Sequence, residues 1–248
     1  MKSRLPLLRC LALLLSLLTL LAPARAYAQA LPGTFAAGIT HSLSIHADGS
    51  LWATGDNAYG QLGIPTSTAS TNAWVQVGTA TNWVQVAASD NHSLGLRADG
   101  ALYAWGNNHY GQLGNPTNND TDQANPTPTQ IAGTYTQVAA GQYHCLGLRA
   151  DGAVYAWGIN AEGQLGNTTN NGVDDANPTP TRVGTDLYTQ VAAGSIHSLG
   201  LRADGTLWAW GYNSNGQLGV AANSGTGRPT PTPTQVAGTY VQVAAGSV

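Results

Sequence analysis

One stretch decides how this chain folds: residues 191–219 read VAAGSIHSLGLRADGTLWAWGYNSNGQLG. Three further copies of the pattern begin at Phe35, Val86 and Val138, and another opens at Val243 as VAAGSV. The histidines of the four full copies are spaced 51, 52 and 53 residues apart. A nearly constant period of this length is typical of propellers and solenoids. The sequence therefore predicts one structural unit, used repeatedly.

Each copy carries the signals of paired β-strands. An apolar segment leads to H-x-L-G-L-R, an Asp-Gly pair follows, and x-L-Y-A-W-G leads back. Asp-Gly between alternating apolar runs indicates a tight hairpin turn, because glycine readily adopts positive φ. The aspartates of these turns are Asp48, Asp99, Asp151 and Asp204. A glycine before each Gln-Leu pair marks a second bend, at Gly60, Gly111, Gly163 and Gly216.

Polar linkers that end in Pro-Thr runs, such as NPTPTQI, join the copies. Proline cannot donate to a central ladder, so we expect these runs at a sheet edge. A unit of about fifty residues with about four strands cannot bury both sheet faces alone, so neighbouring units must stack. We therefore predict an all-β fold, a β-propeller of four-stranded blades. The blades are expected at about 35–85, 86–137, 138–190 and 191–242, with the start of a fifth at 243.

The first thirty residues differ from the repeats. Basic residues precede an apolar run at residues 11–21, and short A-x-A sites follow. This pattern is typical of a secretory signal peptide, so we expect residues 1–30 to be removed after Ala26, Ala28 or Ala30. The apolar run is shorter than the roughly 20 residues that span a bilayer, so we expect no stable membrane insertion. The protein is therefore predicted to be secreted or held at the cell surface.

The net charge of the chain restricts the kind of partner that it can bind. Without residues 1–30 the chain keeps five arginines against twelve Asp and Glu side chains, a net charge of −7. Binding to nucleic acid depends on clustered Lys and Arg, so we exclude nucleic acid as a partner. Cys145 is then the sole cysteine, which leaves no internal disulfide. It takes a register position that serine holds in the other copies, and we interpret it as a small packed side chain.

The full pattern is V-A-A-G-x-x-H-S-L-x-L-x-x-D-G-x-L-x-x-W-G-x-N-x-x-G-Q-L-G, and it resembles the repeat of the regulator of chromosome condensation family over residues 35–248. The resemblance implies a seven-bladed propeller, so four copies and the start of a fifth would be an incomplete array with an open blade edge available for association. The family includes a nuclear guanine-nucleotide exchange factor that acts on a small GTPase and binds chromatin. It also includes a secreted bacterial relative that inhibits β-lactamase through its loop face, which implies that the scaffold can bind proteins outside the cell. The export signal, the acidity and the missing basic surface argue against the nuclear precedent.

Histidines are the most tempting catalytic candidates, because imidazole titrates near neutral pH and binds metals. Four lie in register: His41, His92, His144 and His197. Since each occupies the same place in its copy, we interpret them as partners in a repeated structural hydrogen bond; a metal ring near the axis is the alternative. Three in-register tryptophans are interpreted as packing between blades: Trp105, Trp157 and Trp210.

Motifs of known chemistry are missing from the sequence. It contains no phosphate-binding loop, metalloprotease motif, paired-cysteine motif or hydrolase elbow. The aspartates at 120, 122, 174 and 175 do not follow calcium-loop spacing, and we interpret them as solvated loop. We therefore expect no enzyme activity, no metal and no cofactor.

Two loops vary from copy to copy, one before the histidine and one after W-G-x-N. Loops on a rigid scaffold are where binding residues collect, and Tyr, Asn, His and Ser suit adaptable contacts. The candidate binding residues are Tyr59, Asp90, Asn91, His109, Tyr110, Gln142, Tyr143, Glu162, Ser195, Ser214 and Asn215. Neutral drift at solvated tips is the other interpretation of this variation.

These observations lead to one functional prediction with two alternatives. We predict a secreted, non-enzymatic scaffold that binds a protein or a glycan through its variable loops. The first alternative, implied by the resemblance, is an exchange factor-like regulator of a small GTPase. The second is a structural component of a cell-surface array.

Overall fold

The computed structural model describes residues 34–246. The predicted signal peptide, residues 1–30 with its cleavage sites, lies outside the described residues. Residues 34–246 form sixteen β-strands in four sheets, each with four antiparallel strands. Over this range, no helix is both long and apolar enough to cross a bilayer. The prediction of an all-β fold built from four-stranded units is confirmed.

The strands of each sheet are used in chain order. The first sheet contains β1 (Phe35–Ala37), β2 (His41–Ile45), β3 (Leu51–Asp56) and β4 (Ser70–Gln76). The second contains β5 (Trp83–Ala88), β6 (His92–Arg97), β7 (Ala101–Gly106) and β8 (Asn125–Thr134). The third contains β9 (Gln137–Ala140), β10 (His144–Leu148), β11 (Ala153–Ile159) and β12 (Ala176–Leu187). The fourth contains β13 (Gln190–Ala193), β14 (His197–Leu201), β15 (Leu207–Gly211) and β16 (Thr230–Val236).

Sheets stack on one another through their inner strands. β1, β5, β9 and β13 contact one another in succession. Apolar clusters fill the space between neighbouring sheets, and the first joins Leu43 and Val77 to Trp83 and Trp105 of the next sheet. The side chains of Trp105, Trp157 and Trp210 are completely buried in such clusters. Because each sheet covers the face of its neighbour, the four sheets are successive blades of a propeller.

Pro-Thr runs lie on the outermost strands, at the edges of the sheets. They occur in β8, β12 and β16, each of which pairs only with the strand before it. Inner strands begin slightly earlier than the predicted blade boundaries: β5 at Trp83, β9 at Gln137 and β13 at Gln190. The reason is that residues ahead of V-A-A also pair with the second strand, as Gln137 does with Leu148.

Bend glycines allow one blade to touch the edge strand of the next. Gly60, Gly111 and Gly163 have φ of 82°, 77° and 74°. An added Cβ at these positions would lie 2.6–2.7 Å from the Cα of Pro126, Pro178 and Pro231, respectively. Gly216 has φ of 77° but no such neighbour among the described residues. At three interfaces, therefore, space as well as backbone conformation requires glycine.

Two glycine substitutions separate these two requirements. Gly172 has φ of 83° and nothing within 4 Å of an added Cβ, whereas Gly111 has φ of 77° and meets Pro178. We expect Gly172→Ala to lower the free energy of unfolding by about 1 kcal/mol, the cost of positive φ for alanine. Gly111→Ala should cost about 1–3 kcal/mol more, because the loop must move away from Pro178. Urea denaturation of both variants measures the difference, and equal losses would contradict the contact.

Candidate functional site

The in-register histidines lie inside the interfaces between blades. His41 Nε2 is 2.8 Å from Ser93 Oγ of the second blade, and Ser93 Oγ donates to the Gln61 carbonyl oxygen at 2.8 Å. Since the serine proton is used in that bond, His41 Nε2 carries a hydrogen and donates. Trp105 Nε1 donates to the same Gln61 carbonyl at 2.8 Å. We call this set of four residues the interface relay.

The relay recurs at the next two interfaces. His92 Nε2 is 3.2 Å from Cys145 Sγ, which donates to the Gln112 carbonyl at 3.3 Å, and Trp157 Nε1 donates to that carbonyl at 2.9 Å. The third relay has distances of 3.0, 2.8 and 2.9 Å and consists of His144, Ser198, Gln164 and Trp210. The buried thiol of Cys145 therefore replaces a serine hydroxyl as the middle member of the second relay.

Burial keeps these imidazoles neutral. It lowers the pKa of His41 to about 4, where nearby Asp56 partly offsets the effect. It lowers the pKa of His92 and of His144 to about 3, with smaller contributions from neighbouring histidines. The Nδ1 atoms of the relay histidines are buried without a hydrogen-bond partner. A neutral donor locked against the next blade is poorly suited to acid–base chemistry. Throughout the described part of the chain, no group of three or more His, Cys, Asp or Glu could hold a metal ion.

The relay predicts a marked dependence of stability on pH. The folded pKa values of His41, His92 and His144 lie below 6.5, so the unfolded chain takes up protons first as pH falls. Stability is then complete above about pH 6.5 and is lost below it, at about 1.4 kcal/mol per pH unit for each histidine. Three histidines give a slope of about 4 kcal/mol per pH unit. Urea denaturation between pH 7.5 and 5 measures the slope, which His144→Gln should reduce by about one third. A stability that stays constant over this range would contradict protected, neutral imidazoles.

A second repeated contact joins the inner strands, and sequence reasoning missed it. Gln85 Nε2 donates to the Val138 carbonyl at 2.9 Å, and Gln85 Oε1 accepts from the Val138 N–H at 3.1 Å. Gln137 makes the same pair of bonds with Val191, at 3.1 and 3.0 Å. Gln190 Oε1 accepts from Val243 N–H at 3.0 Å. The sequence does carry a signal for this contact: a Gln-Val pair recurs from the second copy onward.

Both variable loops of a blade leave the same end of its sheet. His41 at the start of β2 pairs with Gly55 near the end of β3, so the loop before β2 and the loop after β3 lie side by side. The other three blades have the equivalent pairing. We call this end of the propeller the loop end, and the opposite end, which carries the Asp-Gly turns, the hairpin end.

Inner loops line a shared cavity of about 380 Å³. Candidate residues Asp90, Gln142 and Ser195 lie around it, together with Ile39 of the first blade. Gln142 Nε2 donates to Asp90 Oδ2 at 2.8 Å, and the backbone N–H of Gln142 donates to the Ser195 carbonyl at 3.0 Å. These two bonds link the inner loop of the third blade to those of the second and fourth blades at the loop end.

The outer loops, together with Asn91 and Tyr143 of the inner loops, form a smaller depression of about 270 Å³, which we call the tyrosine pocket. It is lined by Tyr59, Asn91, Asn107, His109, Tyr110, Asp122 and Tyr143. The rings of Tyr110 and Tyr143 have centroids 5.0 Å apart, and His109 stacks edge-on against Tyr110 at 4.7 Å. His109 Nδ1 lies 3.5 Å from Asp122 Oδ1.

Five of the pocket residues were candidates from sequence, and two were not. Asn107 is buried and positions the loop, since its Oδ1 accepts from the His109 N–H at 3.0 Å and from Gln112 Nε2 at 2.8 Å. Asp122 was interpreted as part of a solvated loop, and its side chain is indeed largely exposed, yet it borders the pocket. The linker folds back toward His109, where the Asp120 N–H donates to the His109 carbonyl at 2.9 Å. No local sequence signal places these residues together.

The remaining candidates lie at the loop end but outside both cavities. Burial, and then the nearby charge of Asp174, raise the pKa of Glu162. Ser214 Oγ accepts from the Gly227 N–H at 2.8 Å, and the Asn215 N–H donates to Gln217 Oε1 at 3.0 Å. Glu162 lies on the third blade, and Ser214 and Asn215 lie on the fourth, so these residues form no common site.

Charge differs between the two ends of the described propeller. The loop end carries seven acidic side chains against one arginine, Arg228; the acids are Asp56, Asp90, Asp120, Asp122, Glu162, Asp174 and Asp175. At the hairpin end three arginines lie over aromatic rings, 4.2, 3.6 and 3.7 Å from the ring centroids. These pairs are Arg97–Tyr103, Arg149–Tyr155 and Arg202–Trp208. Negative charge is thus concentrated where the sequence varies.

Comparison with known proteins identifies the family to which this repeated architecture is similar. The family model described as RCC1-like domain matches residues 21–248. The ultraviolet-B receptor UVR8 of Arabidopsis thaliana is 31% identical over 194 residues, which cover 75% of this chain and 42% of the receptor. The probable E3 ubiquitin-protein ligase HERC4 of Mus musculus is 35% identical over 193 residues, which cover 76% of this chain and 18% of HERC4.

A solved structure gives the same picture in three dimensions. Prp20p from Saccharomyces cerevisiae, reported with its binding properties to Gsp1p and histones, superposes with a TM-score of 0.75 at 25% identity. The match covers 86% of this chain and 53% of Prp20p. This chain therefore spans about half of that protein and less than half of the curated relatives.

Proposed function

This chain belongs to the family of RCC1-like domains, and on that premise we propose that it is a non-enzymatic scaffold that binds a protein partner through its loop end. The observation that carries the proposal is the arrangement of the loops: the two variable loops of every blade lie at one end, while in-register histidines, tryptophans and glutamines join the blades. A surface can change its partner without loss of the fold only when these two roles are separated.

The charge of the loop end indicates the type of partner. Seven acidic side chains and a single arginine give this end a negative field. Such a field steers a positively charged protein surface toward it and repels an acidic one. The similar protein Prp20p is reported to bind proteins, Gsp1p and histones, which supports a protein rather than a glycan as the partner.

The buried histidines and the cysteine of the relays give little support for a catalytic role. The relay histidines are neutral and held between blades, and burial raises the pKa of the Cys145 thiol well above its usual value. A thiol that stays protonated is a weak nucleophile. The family match to HERC4 covers 18% of that protein, so its ligase name carries no activity to this chain.

An exchange factor-like regulator of a small GTPase is the second candidate. It is supported by the similarity to Prp20p, which is reported to bind Gsp1p. Purified chain should then accelerate release of labelled guanine nucleotide from a GTPase that it captures. Export of the chain, as proposed from residues 1–30, would separate it from cytosolic GTPases and argues against this candidate.

Two matched sets of substitutions test the loop end. The loop-end variant is Asp90→Asn, Asp122→Asn, Asp174→Asn and Asp175→Asn. The control variant removes the same charge from the hairpin end and keeps an acceptor oxygen for each turn: Asp48→Asn, Asp99→Asn, Asp151→Asn and Asp204→Asn. A partner captured by the unaltered chain is purified and its Kd is measured for all three proteins by calorimetry.

We expect the loop-end variant to weaken binding at least tenfold and the control variant less than twofold, because only the former reduces the field that faces the partner. Affinity for the unaltered chain should also fall as salt is raised. Equal effects of the two variants would contradict binding at the loop end. Unchanged affinity in both variants would also contradict binding at the loop end.

Secretion is proposed from residues 1–30 and has its own test. We expect the full chain, expressed in a bacterial host, to leave the cytoplasm and to begin at Tyr27, Gln29 or Leu31. N-terminal sequencing of the exported protein identifies the cleavage site. A variant that lacks residues 2–30 should stay in the cytoplasm. An intact amino terminus on cytoplasmic full-length chain would contradict the proposal.

A further inference from the structure

The tyrosine pocket is a departure from the repeat. Its tyrosines come from three different blades: Tyr59 from the first, Tyr110 from the second and Tyr143 from the third. One interface further along, residues Ala161, Glu162 and Ile196 stand in the places of His109, Tyr110 and Tyr143. Since that interface forms without aromatic side chains at these places, blade packing does not require Tyr110 or Tyr143.

The electrostatic surroundings of the pocket favour a cation. The faces of tyrosine rings carry partial negative charge. Asp122 lies at the margin of the pocket, and Asp90 lies close behind Tyr143, since Gln142 Nε2 contacts both the Asp90 carboxylate at 2.8 Å and the Tyr143 hydroxyl at 3.3 Å. Burial, followed by the charge of Asp90 and by Tyr110, raises the pKa of Tyr143. Burial alone disfavours any charge, but the Asp90 carboxylate disfavours a further negative charge here and attracts a positive one.

The size of the pocket fits one side chain. Its volume of about 270 Å³ lies below the roughly 300–1,000 Å³ that is common for small-molecule sites. A guanidinium group is planar, stacks on aromatic faces and donates up to five hydrogen bonds to carboxylate and amide oxygens. This chain already pairs Arg97 with Tyr103 and Arg149 with Tyr155 at the hairpin end, with the guanidinium carbon 4.2 and 3.6 Å from the ring centroid.

We propose that the tyrosine pocket binds the side chain of an arginine on the protein partner, with the guanidinium over the tyrosine rings and bonded to Asp122. The inference rests on the proposed function, because it names the group that the partner would present to the loop end. Asn91, which also lines the pocket, provides an amide beside the rings. A citrulline side chain has nearly the same shape without the charge, so it should bind much more weakly.

A titration without any partner tests the pocket directly. The probes are the peptides acetyl-Gly-Arg-Gly-amide and acetyl-Gly-citrulline-Gly-amide, and the readout is the NMR spectrum of the chain with ¹³C-labelled tyrosine rings. We expect the arginine peptide to shift the ring signals of Tyr59, Tyr110 and Tyr143 in a saturable manner. The signals of Tyr155, which is covered by Arg149, should stay in place. The citrulline peptide should bind at least fivefold more weakly.

Variants separate the pocket from the general charge of the loop end. Asp122→Asn should weaken binding of the arginine peptide at least threefold. Asp174→Asn, which changes the matching register position of the third blade, should leave it unchanged. Tyr110→Leu should abolish the shifts. Because Asp122 is largely exposed, its variant keeps the fold even if Tyr110→Leu disturbs it.

Equal binding of the two peptides, shifts that do not saturate, or equal effects of Asp122→Asn and Asp174→Asn would each overturn the inference. If the arginine peptide fails to bind while partner binding remains sensitive to the loop-end charges, the pocket inference fails and the proposed function stands. If the peptide binds the pocket while partner binding ignores the loop-end charges, the proposed function fails instead.

Discussion

A single backbone carbonyl anchors each interface of this propeller. The carbonyl of Gln61, and its counterparts at Gln112 and Gln164, accepts one hydrogen bond from a tryptophan indole and another from a serine or cysteine of the next blade. A histidine from the same blade as the glutamine in turn donates to that serine or cysteine. All these groups are buried, so every unmade bond would leave a polar atom without water. The relay thus fixes the distance and orientation between blades, and the apolar clusters fill the space around it.

This arrangement leaves the loop tips free to vary. Histidine, tryptophan and the glutamine carbonyl must recur because each blade needs the same contact with its neighbour. Loop residues such as Tyr110 and Glu162 occupy the same register position at the rim, yet they differ completely in chemistry. The outcome is a molecule with two unlike ends. The hairpin end pairs its arginines with aromatic rings, while the loop end carries an excess of carboxylates and gathers aromatic side chains into one pocket.

Sequence reasoning could predict those features that are encoded locally and then repeated. The period predicts the blades, Asp-Gly predicts the hairpins, and Pro-Thr runs predict the edge strands, since each signal acts within a few residues. The tyrosine pocket could not be predicted in this way. Tyr59 lies on the first blade and Tyr143 on the third, and only the stacking of blades brings them near Asp122. The partners of the relay are hidden for the same reason: His92 and Cys145 are 53 residues apart. An in-register pattern reveals that a residue is structural, but the contact that it makes depends on the geometry of the stack.

The central claim is that contacts between blades hold the fold and that the variable tips do not, and one comparison of unfolding free energies tests it most directly. A fourfold variant gives the second blade the tip residues of the fourth: Asp90→Ser, Asn91→Ile, His109→Ser and Tyr110→Asn. The comparison is Ser93→Ala, which removes one hydroxyl from the first relay. The account predicts that the fourfold variant loses less than about 1 kcal/mol, as surface changes usually do, and that Ser93→Ala alone loses about 1–3 kcal/mol. A larger loss for the four tip substitutions than for the single relay hydroxyl would contradict it.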